Sequence, residues 1–381
     1  MPRKEQAKRV SPGNLRNKHK NKLSLKLILA IGLVFVILSA LSWYFWSSPN
    51  NNRYEQLSPP TINSTTNNNT PKSSSPLAGK EFYIHTTRTV NKAITDIAQN
   101  DTSKAKLLEK ISNQPTAIWL NGPTTEDPNG NSDLYLVEQI SQSALQQNKV
   151  ALYQIYAIPH RDACAGYSSG GFKSSESYLN WVANISSKIK SETVVTLEPD
   201  ALAHTIESNC LTNKQTNERY ATLASAITTL KQNPKVIGVY LDSGHSEWYP
   251  DASKLVEPLK RAGIDNASGI TVNVSNFIAT PDITKWAQDL VALIGKEKGI
   301  LIDTSRNGRG SAPNTVTGEA RWCNPEGRGL GKAPTTNVND KNLHAYVWIK
   351  VPGESDGSCR GNPDAGVFIT EKALELASNA E

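Results

Sequence analysis

Short apolar runs alternate with stretches of helical periodicity through most of the chain. The runs lie at 117–120, 150–158, 193–197, 236–241, 269–274, 299–302 and 344–349, each ending in polar or glycine positions. Between them, apolar residues recur at helical spacing near 133–147, 175–190, 213–232, 252–262 and 282–296, with a last such stretch near 370–378. This alternation predicts βα units feeding a parallel sheet. So many units in one domain predict a barrel. The expected fold is α/β: a distorted, partly open parallel (β/α) barrel of about seven strands, preceded by one N-terminal transmembrane helix.

The helix is expected at 27–46, LILAIGLVFVILSALSWYFW, an uncharged apolar run. About 20 such residues cross the hydrocarbon core. Before it, residues 1–26 carry nine Lys/Arg against one acid, Glu5. That tail is expected to stay in the cytoplasm, with Trp43, Tyr44 and Trp46 at the far interface. A cleaved signal peptide, giving a secreted protein, is the alternative. Residues 47–77, rich in Asn, Ser, Thr and Pro, cannot bury a core and read as a flexible linker. The folded domain is then 78–381, facing the extracellular side.

Charge changes this picture little. The net +6 belongs to the tail, since the rest of the chain holds 32 basic and 34 acidic residues. No nucleic-acid partner is implied. Four cysteines follow the anchor, Cys164, Cys210, Cys323 and Cys359. An even number outside the membrane predicts two disulfides, with three pairings open. No Cys-x-x-Cys or His-x-x-x-His spacing occurs, which argues against zinc.

The strand ends carry the chemistry. The second run leads into His160, Arg161 and Asp162, and the third into Glu198-Pro199-Asp200. The fourth ends at Asp242 and His245, the fifth near Asn273 and Asn276, the sixth at Asp303 and Arg306, and the last at Lys350, Glu354 and Asp356. A single acid after a strand is ordinarily a cap or turn residue. In a parallel barrel, however, all these ends meet on one face. The chain has no Gly-x-Ser-x-Gly elbow, phosphate loop or dinucleotide fingerprint. Clustered carboxylates suit glycoside hydrolysis, because a neighbouring carboxylate keeps one acid protonated. Trp119, Trp248 and Trp322, at strand ends or in loops, offer faces for stacking sugar rings.

Seven segments in order resemble glycoside hydrolase family 6, the cellulases that include endoglucanases and cellobiohydrolases. They are YAIPHRDACAGYSSGG (156–171), VVTLEPDALA (194–203), YLDSGHSEW (240–248), GITVNVSNF (269–277), IDTSRNGRG (302–310), WCNPEGRGLG (322–331) and YVWIKVPGESDGSC (346–359). The resemblance implies an inverting attack on β-1,4-glucan with no cofactor, Asp200 as general acid and Asp162 raising its pKa and helping to activate water. Tyr156 resembles the tyrosine that distorts the sugar, and Ser169 the serine that positions the water. Asp242 and Asp356 resemble the other active-site aspartates, with Asp356 considered as a direct base. Trp119, Trp248 and Trp322 resemble the stacking platforms, and Lys350 and Glu354 the contacts to sugar hydroxyls. His245 and Asn273 are further substrate contacts expected within these segments. The family's pairing implies Cys164–Cys210 and Cys323–Cys359. Ala163, between Asp162 and Cys164, departs from the many members with Asp-Cys directly. Only the short segment 360–366 separates Cys359 from Val367, which implies an open cleft and endo cleavage. The alternatives are a cellobiohydrolase and a non-catalytic glucan-binding protein on the same fold. The protein is expected to be a monomer.

Overall fold

The computed structural model describes residues 75–381, apart from 87, 165, 208, 209 and 341. The expected anchor and most of the expected linker lie outside the described residues. Among the described residues, no helix is long and apolar enough to cross a membrane.

Seven strands form one sheet in sequence order: β1 (Ile118–Leu120), β2 (Ala151–Ile155), β3 (Thr193–Leu197), β4 (Val236–Asp242), β5 (Gly269–Val272), β6 (Gly299–Asp303) and β7 (Leu343–Val347). Every pairing is parallel. The sheet curls until its edges nearly meet. Ala117 N–H donates to Trp348 O at 2.8 Å, and the Trp119 indole donates to Ile349 O at 2.8 Å. These bonds stand where a full barrel would have a ladder, so the barrel is partly open.

Strand alternation sorts the side chains into two cores. Tyr153, Ile155, Val195, Leu197, Val239, Leu241, Ile270 and Ile302 face outward into the main core. There they meet α3 (Asn131–Gln146), α4 (Ser175–Lys188), α5 (Asn213–Lys231) and α7 (Thr280–Ile294). Leu152, Val194, Tyr240, Leu301, Ala345 and Val347 fill the barrel interior. The same inward rows carry Asp242, Asn273 and Asp303 at their upper ends, all buried. Buried on both faces, β2, β3, β5, β6 and β7 are covered at every position, as parallel strands require.

Two helices escape the sequence reading, α1 (Thr89–Ala98) and α2 (Thr102–Ser112). They pack with α8 (Thr370–Ser378) around Val90, Leu108, Ile111, Leu330, Trp348 and Leu376, beside the seam of the barrel. The stretch read as one helix at 252–262 is a 3-10 turn, Ala252–Leu255, followed by α6 (Val256–Arg261). The run 150–158 holds strand geometry only to Ile155. Beyond it, the backbone of Ala157 and Ile158 binds a carboxylate instead of a neighbouring strand.

Candidate active site

That carboxylate belongs to Glu198, first residue of the turn after β3. Its oxygens accept from Ala157 N–H at 3.1 Å and Ile158 N–H at 3.2 Å, which fixes the exit of β2 against the exit of β3. Burial pushes the Glu198 carboxyl up to about 7. The turn is tight: Glu198 (φ 53°) and Asp200 (φ 66°) both sit in the left-handed region, as do Asp162 (φ 52°) and Ser275 (φ 59°) at other strand exits. Non-glycine residues adopt it at a cost of about 1 kcal/mol each, and such strain gathers at functional sites.

Asp200 projects from this turn into a cleft of about 1200 Å³ over the strand exits. Its own N–H donates to Asp242 Oδ1 at 3.0 Å, and Gly244 N–H donates to the same oxygen at 3.1 Å. Burial raises the Asp200 carboxyl to about 7, and the charges of Asp162 and Glu207 add to the effect. Asp242 is driven well above its usual range by burial and by Asp200. Its Oδ2 is buried without a partner. A carboxyl that keeps its proton near neutrality while reaching an open cleft can serve as a general acid.

Asp162 comes from the loop after β2. Its Oδ2 accepts from Ser168 N–H at 2.6 Å, closing the loop on itself. Arg161 clasps the loop from beneath, donating to Ser168 O at 2.7 Å and to Tyr156 O at 2.6 Å, with its guanidinium 4.8 Å from the centre of the Tyr156 ring. Cys164–Cys210 ties the loop to the segment after β3, so the extra Ala163 is accommodated without losing the bridge. Ser169 lines the cleft, its hydroxyl donating to Gly166 O at 2.7 Å.

The opposite wall is built on paired charges. Asp356 accepts from Arg306 at 2.9 Å and from Asn324 N–H at 2.9 Å, and its carboxylate lies 3.7 Å from Lys350 Nζ. Lys350 donates to Ser355 O at 2.7 Å, and Arg306 lies over the Phe277 ring at 4.3 Å. Glu354 borders the same cluster, its carboxyl raised by burial. Cys323–Cys359 holds the two segments that carry Trp322 and Asp356.

Three tryptophans line the cleft. Trp119 meets Tyr156 edge to face at 5.6 Å. Trp248 stacks on Tyr249 at 5.9 Å, with His204 and His245 each 5.7 Å away. Burial lowers His245 to about 4. Trp322 is exposed and touches Tyr167 at 5.4 Å, while the Tyr167 hydroxyl donates to Glu319.

The cleft thus gathers Asp200, Asp162, Tyr156, Ser169, Asp356, Trp119, His245, Trp248, Trp322, Lys350 and Glu354. Asp242 and Asn273 do not line it. Both point inward from their strands and are buried, so they form the floor beneath the cleft. Asn273 binds Ile278 O at 3.2 Å and Asp303 O at 2.9 Å, holding two loops in place. His204, Glu207, Tyr167 and the ion pair between Arg321 and Glu247 (2.8 Å) line the cleft without having been singled out in the sequence. Tyr167 and Glu247 lie within two of the quoted segments, whereas His204, Glu207 and Arg321 lie in none of them. Among the described residues, the one group with ligand-like proximity is Cys164, Glu207 and Cys210. Its cysteines are joined to each other, so they offer no thiolate for a metal.

Known proteins are similar to this chain in sequence and in fold. The chain is 37% identical over 283 residues to Endoglucanase A of Cellulomonas fimi, an alignment spanning 74% of this chain and 58% of that protein. It is 36% identical to Endoglucanase 1 of Streptomyces sp. (strain KSM-9), over 71% of each. The solved endoglucanase Cel6 from Mycobacterium tuberculosis, in complex with methyl-cellobiosyl-4-deoxy-4-thio-β-D-cellobioside, superposes with a TM-score of 0.71 at 36% identity, covering 80% of this chain and 99% of that one. The family model described as Glycosyl hydrolases family 6 matches residues 77–380, from the first buried leucine of the domain to its last helix, and the chain belongs to that family of cellulases.

Proposed function

We propose that this protein is an inverting endo-β-1,4-glucanase in which Asp200 is the general acid and Asp162 assists. The observation that carries the reading is Asp200 itself, a carboxyl raised to about 7 that opens into a cleft lined by three tryptophans. Asp200 gives its proton to the glycosidic oxygen as the bond to the anomeric carbon breaks. Water attacks that carbon from the opposite ring face, and its proton passes through a water chain toward Asp162, which yields inversion. Tyr156 shapes the sugar at the point of cleavage and Ser169 orients the water. The tryptophans, with His245, Lys350 and Glu354, bind the glucan. Beneath them, Asp242 fixes the backbone of the acid, while Asp356 balances Arg306 and Lys350.

Endo action is supported by the rim at Asp364–Gly366, which is short and exposed, and by endoglucanases among the relatives. A cellobiohydrolase is the second reading, favoured by the contact of Tyr167 with Trp322 and Glu319, which joins the two walls. The N-terminal segment adds a tether: the domain is held outside the cell by a single span at 27–46, or released if that span is cleaved. A mature chain beginning beyond Trp46 would exclude the tether.

The test is sugar release from carboxymethylcellulose, with viscosity followed in parallel. Wild type releases reducing sugar and Asp200→Ala does not, and viscosity falls ahead of sugar release. Equal release by both proteins, or by neither, sinks the catalytic assignment. Sugar release without early loss of viscosity sinks endo action alone.

A further inference from the structure

We propose that Glu207 is a positioning residue of this site, fixing the edge of the Trp248 platform and holding a negative charge close to Asp200, so that sugar binding and proton donation share one side chain. The inference rests on the glucanase reading above.

Glu207 follows the 3-10 turn Ala203–Thr205 and lines the cleft. It stands three residues before Cys210, whose bridge to Cys164 anchors this segment to the loop of Asp162. The Trp248 indole N–H donates to Glu207 Oε1. Indole has a single donor, and the rings beside Trp248 stand at 5.9 Å for Tyr249 and 5.7 Å for each of His204 and His245. Ring contacts allow a platform to slide, whereas a charge-assisted hydrogen bond at its edge sets its rotation.

The charge has a second effect. Asp200 is faced by Tyr156 and Asp162 from the segment after β2, by Asp242 from β4 and by Glu207 from its own segment. Glu207 in turn faces Asp200, His204 and, from the loop after β4, Tyr249. Burial and Asp162 hold the proton on Asp200 more strongly than Glu207 does, so its share is the smaller one. An acid bonded to a tryptophan is ordinarily a packing device. What separates the two cases is whether its charge reaches the acid.

Two variants separate the effects. Glu207→Gln keeps an oxygen for the indole and removes the charge. Its KM for a soluble cello-oligosaccharide is expected within twofold of wild type, while the alkaline limb of kcat moves to lower pH by about half a unit. Glu207→Ala removes both, so the same limb shift is joined by a KM raised about 3- to 10-fold. Thermal melts verify that both variants fold. An unmoved limb in both variants overturns the charge role, and an unchanged KM in Glu207→Ala overturns the platform role. A wild-type chain that releases no sugar defeats the glucanase reading itself, and this assignment with it.

Discussion

Replacing Asp200 by Asn should make the protein more stable, and by an amount that depends on pH. The unfolded chain ionises Asp200 near 3.8, while the folded chain holds the proton until about 7. Between those values, the native state keeps a proton that the unfolded state has released. The native state is therefore penalised progressively as pH rises through the window, and fully so above it. A shift of about 3 units corresponds to at most about 4 kcal/mol. Asp200 is half-buried and meets cleft water, which screens part of that penalty. The expected gain for Asp200→Asn is therefore about 1–2 kcal/mol at pH 8, falling to nothing near pH 4. Urea denaturation followed by tryptophan fluorescence at pH 8, 6 and 4 measures it. Asp162→Asn removes one source of the penalty, so the double variant should gain less than the sum of the singles. A gain independent of pH, or a loss at pH 8, would refute the claim that the acid is held protonated by its surroundings.

Other perturbations have equally definite outcomes. Replacing Cys164 and Cys210 by Ala should cost about 2–5 kcal/mol and lower kcat, because the bridge closes a 46-residue separation and holds the Asp162 loop; denaturant midpoints and steady-state rates read both. Asp356→Asn leaves Arg306 and Lys350 buried with one anion fewer, and should lose about 2–4 kcal/mol in urea denaturation together with most activity. Tyr167→Ala removes the contact with Trp322 and Glu319 across the cleft, and should increase viscosity loss per reducing end released. His344, bonded to Tyr240 at 2.7 Å inside the barrel, is lowered by burial to about 4 against an unfolded value of 6.5. Its contribution to stability is complete above pH 6.5 and is lost as pH falls toward 4, about 1 kcal/mol by pH 5.5, a slope that His344→Gln should flatten.

The seven strands are legible in the sequence because strands buried on both faces appear as apolar runs. The reading overshoots at 156–158, where the residues are just as apolar. There the hydrogen bonds go to Glu198, and no periodicity reports a partner 40 residues away. Helix α1 has Val90, Ala93, Ile94 and Ile97 at helical spacing, yet it is short and interrupted by Thr and Asn. Asp162 and Asp200 are legible through the segments around them. Asp242 and Asn273 occupy strand ends of the same kind, but alternation turns them into the barrel. Glu207 belongs to no motif, and its meaning depends on Trp248, 41 residues further on, so only the folded chain reveals it.

The two walls of the cleft each hold a disulfide but solve different electrostatic problems. On the Asp356 side, charges are complementary: two cations surround one carboxylate, and their attraction acts together with Cys323–Cys359. On the Asp200 side, Asp162, Asp200, Asp242 and Glu207 are all acids: the charges of Asp162 and Glu207 raise Asp200, and that of Asp200 raises Asp242. Left to electrostatics, the loops that carry them would separate, and separation would let Asp200 return toward an ordinary carboxylate. Cys164–Cys210 joins two of those loops covalently, while Glu198 holds the backbone of the β2 exit and Asp242 accepts from the N–H of the acid itself. The proton on Asp200 is therefore kept first by burial and then by the geometry of its acidic neighbours. Any change that loosens that wall should lower the pKa of the acid before it unfolds the barrel.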